Sequence, residues 1–296
     1  MSHHLIDADS QGTAREPVKV ILDTDIGDDI DDTWALAMLL GCAQVDLRLI
    51  VTATDSVYDK TRLVAKILER TGRTDIPVGT GVENGKKELA QAAWLGGYEL
   101  SSYGGKVYED GIDAAIEEVE SSAEETVILA IGPQTNIAEM LRRSPGVAEK
   151  ARIVAMGGSV YRGYGGKDGA DAEYNIKRDI AAARAVLAAP WGITIAPLDG
   201  CGDMVLSGAR YARVAASDAP RAKAVIENYD AWGGRGRYGK GESSVLFDTV
   251  AAYLAFDEKW CRIENVKLSI DDDGKTMPDE KGREVRCQLG WREREA

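Results

Sequence analysis

Val18-Lys19-Val20-Ile21-Leu22 is a β-branched, apolar run that ends in a string of acids, the pattern of a buried strand. Asp31 to Leu40 carries helical spacing with aspartates at its start. Leu47 to Thr54 predicts a second strand, Lys60 to Arg70 a second helix, and Ile76 to Gly79 a short third strand. Residues 80–110 are rich in Gly, Tyr and Trp without a clear period, and predict a long excursion of the kind that carries ligand contacts. Ile112 to Val119 is helical. Thr126 to Ile131 is a buried strand followed by Gly132-Pro133, and a helix runs from Thr135 to Arg142. Arg152 to Met156 is a strand entering Gly157-Gly158 and a glycine-rich loop that continues to about Ala172. Asp179 to Ala188 is an alanine-rich helix, and Ile193 to Ala196 a strand. From Ser207 to Tyr253 the pattern is mainly helical, broken by Gly233–Gly241. Glu264 to Trp291 alternates like a hairpin around the acidic turn Asp271-Asp272-Asp273-Gly274.

Strands alternating with helices imply βαβ units, hence one α/β domain with a mostly parallel central sheet flanked by helices. In such sheets ligands bind outside the carboxyl ends of the strands, so the residues just after each strand are the ones to inspect. No internal repeat, linker or low-complexity segment divides the chain, and the domain is expected to span residues 17–296. Residues 1–16 are polar and lack an apolar core, so they read as a disordered tail rather than a signal peptide. The longest apolar stretch, Trp34 to Ala43, is too short to span a bilayer, and a cytoplasmic protein is expected.

The 296 residues hold 36 Lys and Arg against 49 Asp and Glu, a net charge of −13. That balance argues against a protein that tracks nucleic-acid phosphates or anionic membranes. The four cysteines, Cys42, Cys201, Cys261 and Cys287, form no C-x-x-C and have no zinc-ligand spacing, and read as reduced thiols. The only histidines are His3 and His4, at the extreme N-terminus. A Ser-His-Asp triad, a Cys-His pair and an H-E-x-x-H zinc site are thereby excluded from the body of the protein. Any catalyst here works with carboxylates.

Carboxylates are concentrated in one place. In Asp23-Thr-Asp25-Ile-Gly-Asp28-Asp29-Ile-Asp31-Asp32, six of ten residues are Asp, directly after a strand and opening a helix. A helix N-terminus offsets only part of the mutual repulsion. A hard divalent cation such as calcium, which takes six to eight oxygens, resolves the rest. The spacing is not that of an EF-hand loop, because Asp28 stands where glycine is needed and Trp34 where the bidentate Glu belongs. A strand ending in Asp-x-Asp also resembles the haloacid dehalogenase phosphotransferases, but the later motifs of that family find no match.

A second resemblance is more specific. DTDIGDDIDD resembles the N-terminal signature of the inosine-uridine-preferring nucleoside hydrolases, D-T-D-x-G-x-D-D, expanded by two residues. Ile131-Gly-Pro-Gln-Thr-Asn136-Ile-Ala138 is similar to the T-G-P-L-T-N-I-A of that family, and Met156-Gly157-Gly158 to its M-G-G. Ala172-Glu173-Tyr174-Asn175-Ile176 resembles A-E-F-N-I, with Asp179 following, and Phe247-Asp248 resembles a late H-D pair. The matches run in order from about Val18 to Asp248.

The resemblance implies a Rossmann-like nucleoside hydrolase fold with the active site at the carboxyl ends of the strands. It implies hydrolysis of the N-glycosidic bond of ribonucleosides, with calcium binding the ribose diol and a water that an aspartate deprotonates. By this match Asp25 is the general base and a metal ligand. Asp32, Asp248 and the backbone carbonyl of Ile131 complete the metal set. Asp31, or Asp29 because of the expansion, binds a ribose hydroxyl. Glu173 and Asn175 hold further ribose hydroxyls, and Asp55 stands where the family commonly has Asn against the ribose. Lys167 occupies another Asn position, and Asp168 is the candidate substitute. Asp28 is expected to face solvent or cap the helix, Asp23 to be an inward structural acid, and Asn136 to shape the loop that presents Ile131.

Phe247 departs most, because many members carry a base-protonating His there. Trp94, Tyr98, Tyr103, Tyr161, Tyr164, Tyr229, Trp232 and Tyr238 are the candidates for the base pocket, with Trp232 and Tyr229 favoured as neighbours of Gly233–Gly241. That segment and residues 80–106 are candidate lids. The implied partner is a small-molecule nucleoside, and the implied assembly a homodimer or homotetramer. Two alternatives stay open: a hydrolase of the same fold acting on another N-ribosyl or ribose-like substrate, or a non-catalytic calcium- or ribose-binding protein.

Overall fold

The computed structural model describes residues 16–292. The elements in the first half are β1 (Val18–Thr24), α1 (Asp31–Leu39), β2 (Val45–Thr54), α2 (Val57–Thr71), β3 (Val78–Glu83), α3 (Ala92–Leu95), β4 (Val107–Tyr108), α4 (Gly111–Ser121), β5 (Thr126–Ala130) and α5 (Thr135–Arg143). There follow β6 (Ala151–Met156), α6 (Tyr174–Arg178), α7 (Ile180–Ala188), β7 (Ile193–Ala196), α8 (Leu198–Cys201), β8 (Val205–Ser207), α9 (Gly208–Ala215) and α10 (Pro220–Ala231). The chain closes with β9 (Glu242–Val245), α11 (Phe247–Leu254), β10 (Cys261–Ile270), β11 (Thr276–Pro278) and β12 (Arg283–Trp291).

Among the described residues, ten strands form one sheet in the order β11-β10-β12-β7-β6-β5-β1-β2-β3-β4. Every pairing from β12 to β4 is parallel, and β10 is antiparallel to both its neighbours. The order reverses at the β1–β5 junction, because β2 to β4 build outward from β1 on one side and β6 and β7 from β5 on the other. Such a reversal opens a crevice at the strand ends.

β1 and β5 are buried on both faces, which is why they read as continuous apolar runs. Val20 and Leu22 pack on one side with α1, α2 and α11, whereas Ile21 packs on the other with α4 and α5. The result is helices on both faces of the sheet.

Three expectations need correction. Residues 80–110 are not one excursion: β3 runs on to Glu83, and α3 and β4 follow. The stretch after the glycine-rich segment is a strand before it is a helix, since β9 pairs antiparallel with β8 in a separate small sheet. The acidic turn 271–274 links β10 to β11, not β10 to β12, and β12 returns on the far side of β10 to pair in parallel with β7. The expected tail falls almost wholly outside the described residues. All four cysteines are free. Among the described residues no helix is long and apolar enough to cross a membrane.

Candidate active site

The crevice at the β1–β5 junction leads into a cavity of about 520 Å³, the volume of a small-molecule site. Its floor follows from the pairing of the two strands. Asp23 pairs with Ala130, and the Ile131 amide donates to the Asp23 carbonyl at 2.9 Å. The chain leaving β1 therefore runs beside the chain leaving β5. Gly132 makes this possible: a Cβ there would lie 2.9 Å from the Asp25 nitrogen and 3.0 Å from its Oδ1. Asp23 turns to the opposite face, where its Oδ2 accepts the Asn136 amide at 2.7 Å. Asn136 also donates to the Thr52 carbonyl at 3.0 Å and accepts from the Val82 amide at 2.8 Å, so it ties β1, β2 and β3 to α5.

Asp25, Asp31, Asp32 and Asp248 all line the cavity and are all buried. Asp31 and Asp32 open α1, and Asp248 lies in the first turn of α11, so two helix N-termini face the acids. Asp31, Asp32 and Asp248 each offer an oxygen within 4.8 Å of the others. Thr24 donates its hydroxyl to Asp32, and the Asp248 amide donates to Asp31 Oδ2 at 3.3 Å.

Burial pushes the Asp25 carboxyl up to about 7, with Asp28 and Glu173 adding to the rise and Lys60 opposing it. Asp31, Asp32 and Asp248 are raised well above the ordinary carboxylate range, first by burial and then by the charges of neighbouring aspartates: Asp29 and Asp25 on Asp31, Asp25 and Asp31 on Asp32, and Asp31, Asp32 and Asp25 on Asp248. Hard oxygen donors converging in a buried, like-charged cluster fit a divalent cation. Ile131 lines the same floor, and its carbonyl accepts from the Asn175 side-chain amide at 3.4 Å.

Glu173 and Asn175 are brought to the same cavity by the turn into α6. Glu173 caps that short helix, accepting from the amides of Asn175 at 2.8 Å, Gly158 at 3.0 Å and Ile176 at 3.2 Å. Burial raises its carboxyl, and these amides hold it down. The Asn175 side-chain amide Nδ2 donates to the Met156 carbonyl at 3.2 Å, so the end of β6 orients it.

Asp29 also lines the cavity; its carboxylate accepts the Ile30 amide at 2.8 Å. Trp232 is a wall residue whose indole N–H donates to the Asp28 carbonyl at 3.2 Å. It lies near-parallel to Tyr229 at 6.3 Å and to Tyr238 at 6.1 Å.

Asp55, Asp168 and Tyr229 do not line the cavity, and neither do the aromatic candidates Trp94, Tyr98, Tyr103, Tyr161 and Tyr238. Asp55 is buried in an ion pair with Arg178 at 2.7 Å, behind Gly85. Asp168 is exposed on the 161–172 loop, its backbone in an isolated antiparallel β-bridge with that of Arg162, while Lys167 is spent on Asp171 at 2.7 Å. Tyr229 is fully buried behind Trp232, its hydroxyl on the Glu242 carbonyl at 3.1 Å. Asp28 is not solvent-facing: it lines the cavity and pairs with Lys60 at 3.3 Å and Lys87 at 3.4 Å.

Sequence reasoning passed over Lys60, Lys87, Tyr174 and Arg237, and named Tyr164 only among many aromatics. Lys60 is wholly buried below the acids and donates to Thr54 Oγ1 at 3.0 Å and to the Ala53 carbonyl at 3.3 Å. Thr54 and Ser56 both adopt positive φ, at 72° and 51°, a conformation β-branched threonine rarely takes. Strain of this kind is held where surrounding contacts over-determine the backbone. The half-open rim carries Tyr164 and Tyr174, and Tyr164 meets Phe247 edge-on at 6.3 Å.

The sequence profile described as inosine-uridine preferring nucleoside hydrolase matches residues 20–294. The non-specific ribonucleoside hydrolase RihC of Salmonella newport (strain SL254) is 35% identical over 198 residues, which cover 64% of this chain and 63% of that protein. The chain thus aligns with just under two thirds of the curated relative's length. In fold it is similar to a plant nucleoside hydrolase, with a TM-score of 0.78 and 21% identity over 93% of this chain and 95% of that one. It is likewise similar to the purine-preferring ribonucleoside hydrolase from Gardnerella vaginalis, with a TM-score of 0.76 and 22% identity over 93% and 94% of the two chains. With the profile matched along nearly its whole length, the chain belongs to the inosine-uridine preferring nucleoside hydrolase family.

Proposed function

We propose that this protein hydrolyses the N-glycosidic bond of ribonucleosides in a calcium-dependent reaction, with Asp25 as the base. The observation that carries the reading is the convergence of Asp25, Asp31, Asp32 and Asp248 on the floor of a nucleoside-sized cavity that Glu173 and Asn175 also line. Family membership and the RihC relative point the same way.

Asp32, Asp248 and the Ile131 carbonyl would hold the cation, together with Asp25 and with Asp31, whose oxygen stands in the converging trio. When bound, calcium would acidify water and fix the ribose diol. Asp25, on the cavity floor beside the other acids, takes the proton of the attacking water. As the glycosidic bond lengthens, positive charge grows on the ribose. The carboxylates of Asp25, Asp31 and Glu173 line the cavity and stabilise it electrostatically. Glu173 and Asn175 orient ribose hydroxyls. Phe247 supplies no proton to the base. A homo-oligomeric, cytoplasmic enzyme acting on free nucleosides is part of the same proposal.

The test is reducing-sugar release from a panel of purine and pyrimidine ribonucleosides, with and without a chelator. The reading predicts release that the chelator abolishes and added calcium restores. No release from any nucleoside, with calcium bound stoichiometrically, contradicts it and favours a different N-ribosyl substrate.

A further inference from the structure

The cavity is polarised. Its floor is anionic and buried, whereas its two lining cations, Lys87 and Arg237, belong to the segments around the opening. Lys87 is engaged by Asp28 at 3.4 Å. Arg237 is exposed; its backbone amide donates to the Gly234 carbonyl at 3.0 Å, but its guanidinium makes no hydrogen bond or ion pair within the described residues and acts on the nearby Asp29 as a charge that opposes the burial-driven rise of that carboxyl.

Arg237 is held at the cavity by a well-anchored segment. The Gly233 amide donates to the Ala90 carbonyl at 2.9 Å, and Tyr238 stacks along Trp232. Arg235, two residues earlier, turns inward over the Tyr229 ring at 4.4 Å and donates to the carbonyls of Tyr238 and Gly239, each at 3.2 Å. One arginine of the pair is therefore consumed in building the segment, and the other lines the cavity.

We infer that Arg237 is the leaving-group residue of this site, and that it selects bases presenting a carbonyl oxygen. The inference rests on the hydrolase reading and deepens it. In heterolysis the C1′–N bond breaks with its electron pair going to the base, while the water oxygen bonds to C1′ and its proton goes to Asp25. The base leaves as an anion whose charge is shared onto its ring carbonyl. Arg237 donates hydrogen bonds to that oxygen without transferring a proton, and solvent protonates the base after release. A guanidinium carries five donors and no acceptor, so it meets an oxo edge and not an amino edge. Anionic floor and cationic rim thus match the two ends of the breaking bond.

The experiment compares inosine, adenosine and p-nitrophenyl β-D-ribofuranoside, whose leaving group departs without help, on wild-type, Arg237→Ala and Tyr164→Phe proteins. Arg237→Ala is expected to lower kcat on inosine by about a hundredfold, as loss of a charge-stabilising donor does. Adenosine should fall less, and the nitrophenyl riboside should stay within about threefold. An equal fall on all three substrates overturns the inference, since that is the signature of a structural role. So does an unchanged rate on inosine with the leaving-group-dependent loss appearing in Tyr164→Phe instead. If the wild-type protein cleaves none of the three, the nitrophenyl riboside included, the hydrolase reading itself fails and takes the inference with it.

Discussion

The backbone amide of Asp248 donates to Oδ2 of Asp31 at 3.3 Å, across a sequence separation of 217 residues. This contact joins the N-terminal turn of α11 to that of α1 and brings their carboxylates together. Each acid is raised by burial and by its neighbours, so the cluster is at odds with itself until a cation is bound. Asp248→Asn should therefore separate two quantities. Calcium affinity, read by titration calorimetry, should fall by at least about tenfold. The Tm of the chelated protein should hold or rise, because a repelling charge has gone. A chelated variant markedly less stable than chelated wild type would contradict the electrostatic account.

The same repulsion gives a pH dependence. Asp23 and Asp25 are each raised from 3.8 to about 7 in the folded protein, by burial first. The folded state then holds protons that the unfolded state has released. This stabilisation is complete below about 4 and is lost as pH rises through about 7. Chelated protein should show a Tm that declines across that window, and saturating calcium should flatten or reverse the decline. A chelated Tm that climbs between pH 5 and 7 would show that these carboxyls are not displaced upward.

Gly132→Ala tests the floor. The added Cβ would meet the Asp25 nitrogen at 2.9 Å and its Oδ1 at 3.0 Å, and backbone cannot yield as a side-chain tip can. Activity should fall by about a hundredfold through displacement of Asp25, with a stability loss of about 1–3 kcal/mol. Full activity in this variant would mean that the close approach of β1 and β5 does not position the base.

Lys60→Met removes a cation that is wholly buried and pairs with Asp28 at 3.3 Å. Breaking one side of a buried pair costs about 3 kcal/mol, and Lys87 remains to hold Asp28. Denaturant melts should show that loss. An unchanged midpoint would mean that Lys60 does not support the strained turn at Thr54.

How much of this was legible in the sequence depended on whether local pattern or distant pairing decided the outcome. Ile193–Ala196 and the cores of β1, β2 and β5 were readable because strands buried on both faces need continuous apolar runs. The inward placement of Asp23 came with the family resemblance, but its link to Asn136, 113 residues away, was not legible, and Asn136 ties strands together where it was expected to shape the loop presenting Ile131. Lys60 was not legible: on a helix it reads as a solvent-facing residue, and only the packing of α2 beneath the aspartate loop buries it. Asp55 looked like a ligand-facing acid because nothing local announces Arg178, which lies 123 residues away. Tyr229 and Trp232 looked equivalent, yet α10 turns the first into the core and leaves the second on the cavity wall. β9 was hidden because a Glu-Ser-Ser run after glycines carries no strand signal, and it forms only against β8.

The central claim is that Asp25 is the base in ribonucleoside hydrolysis, and Asp25→Asn tests it most directly. Ribose release by wild type and variant would be measured with calcium present, alongside ribose binding to each. The account predicts that the variant loses nearly all turnover while still binding ribose. A variant that turns over near the wild-type rate would remove Asp25 from the chemistry and contradict the account.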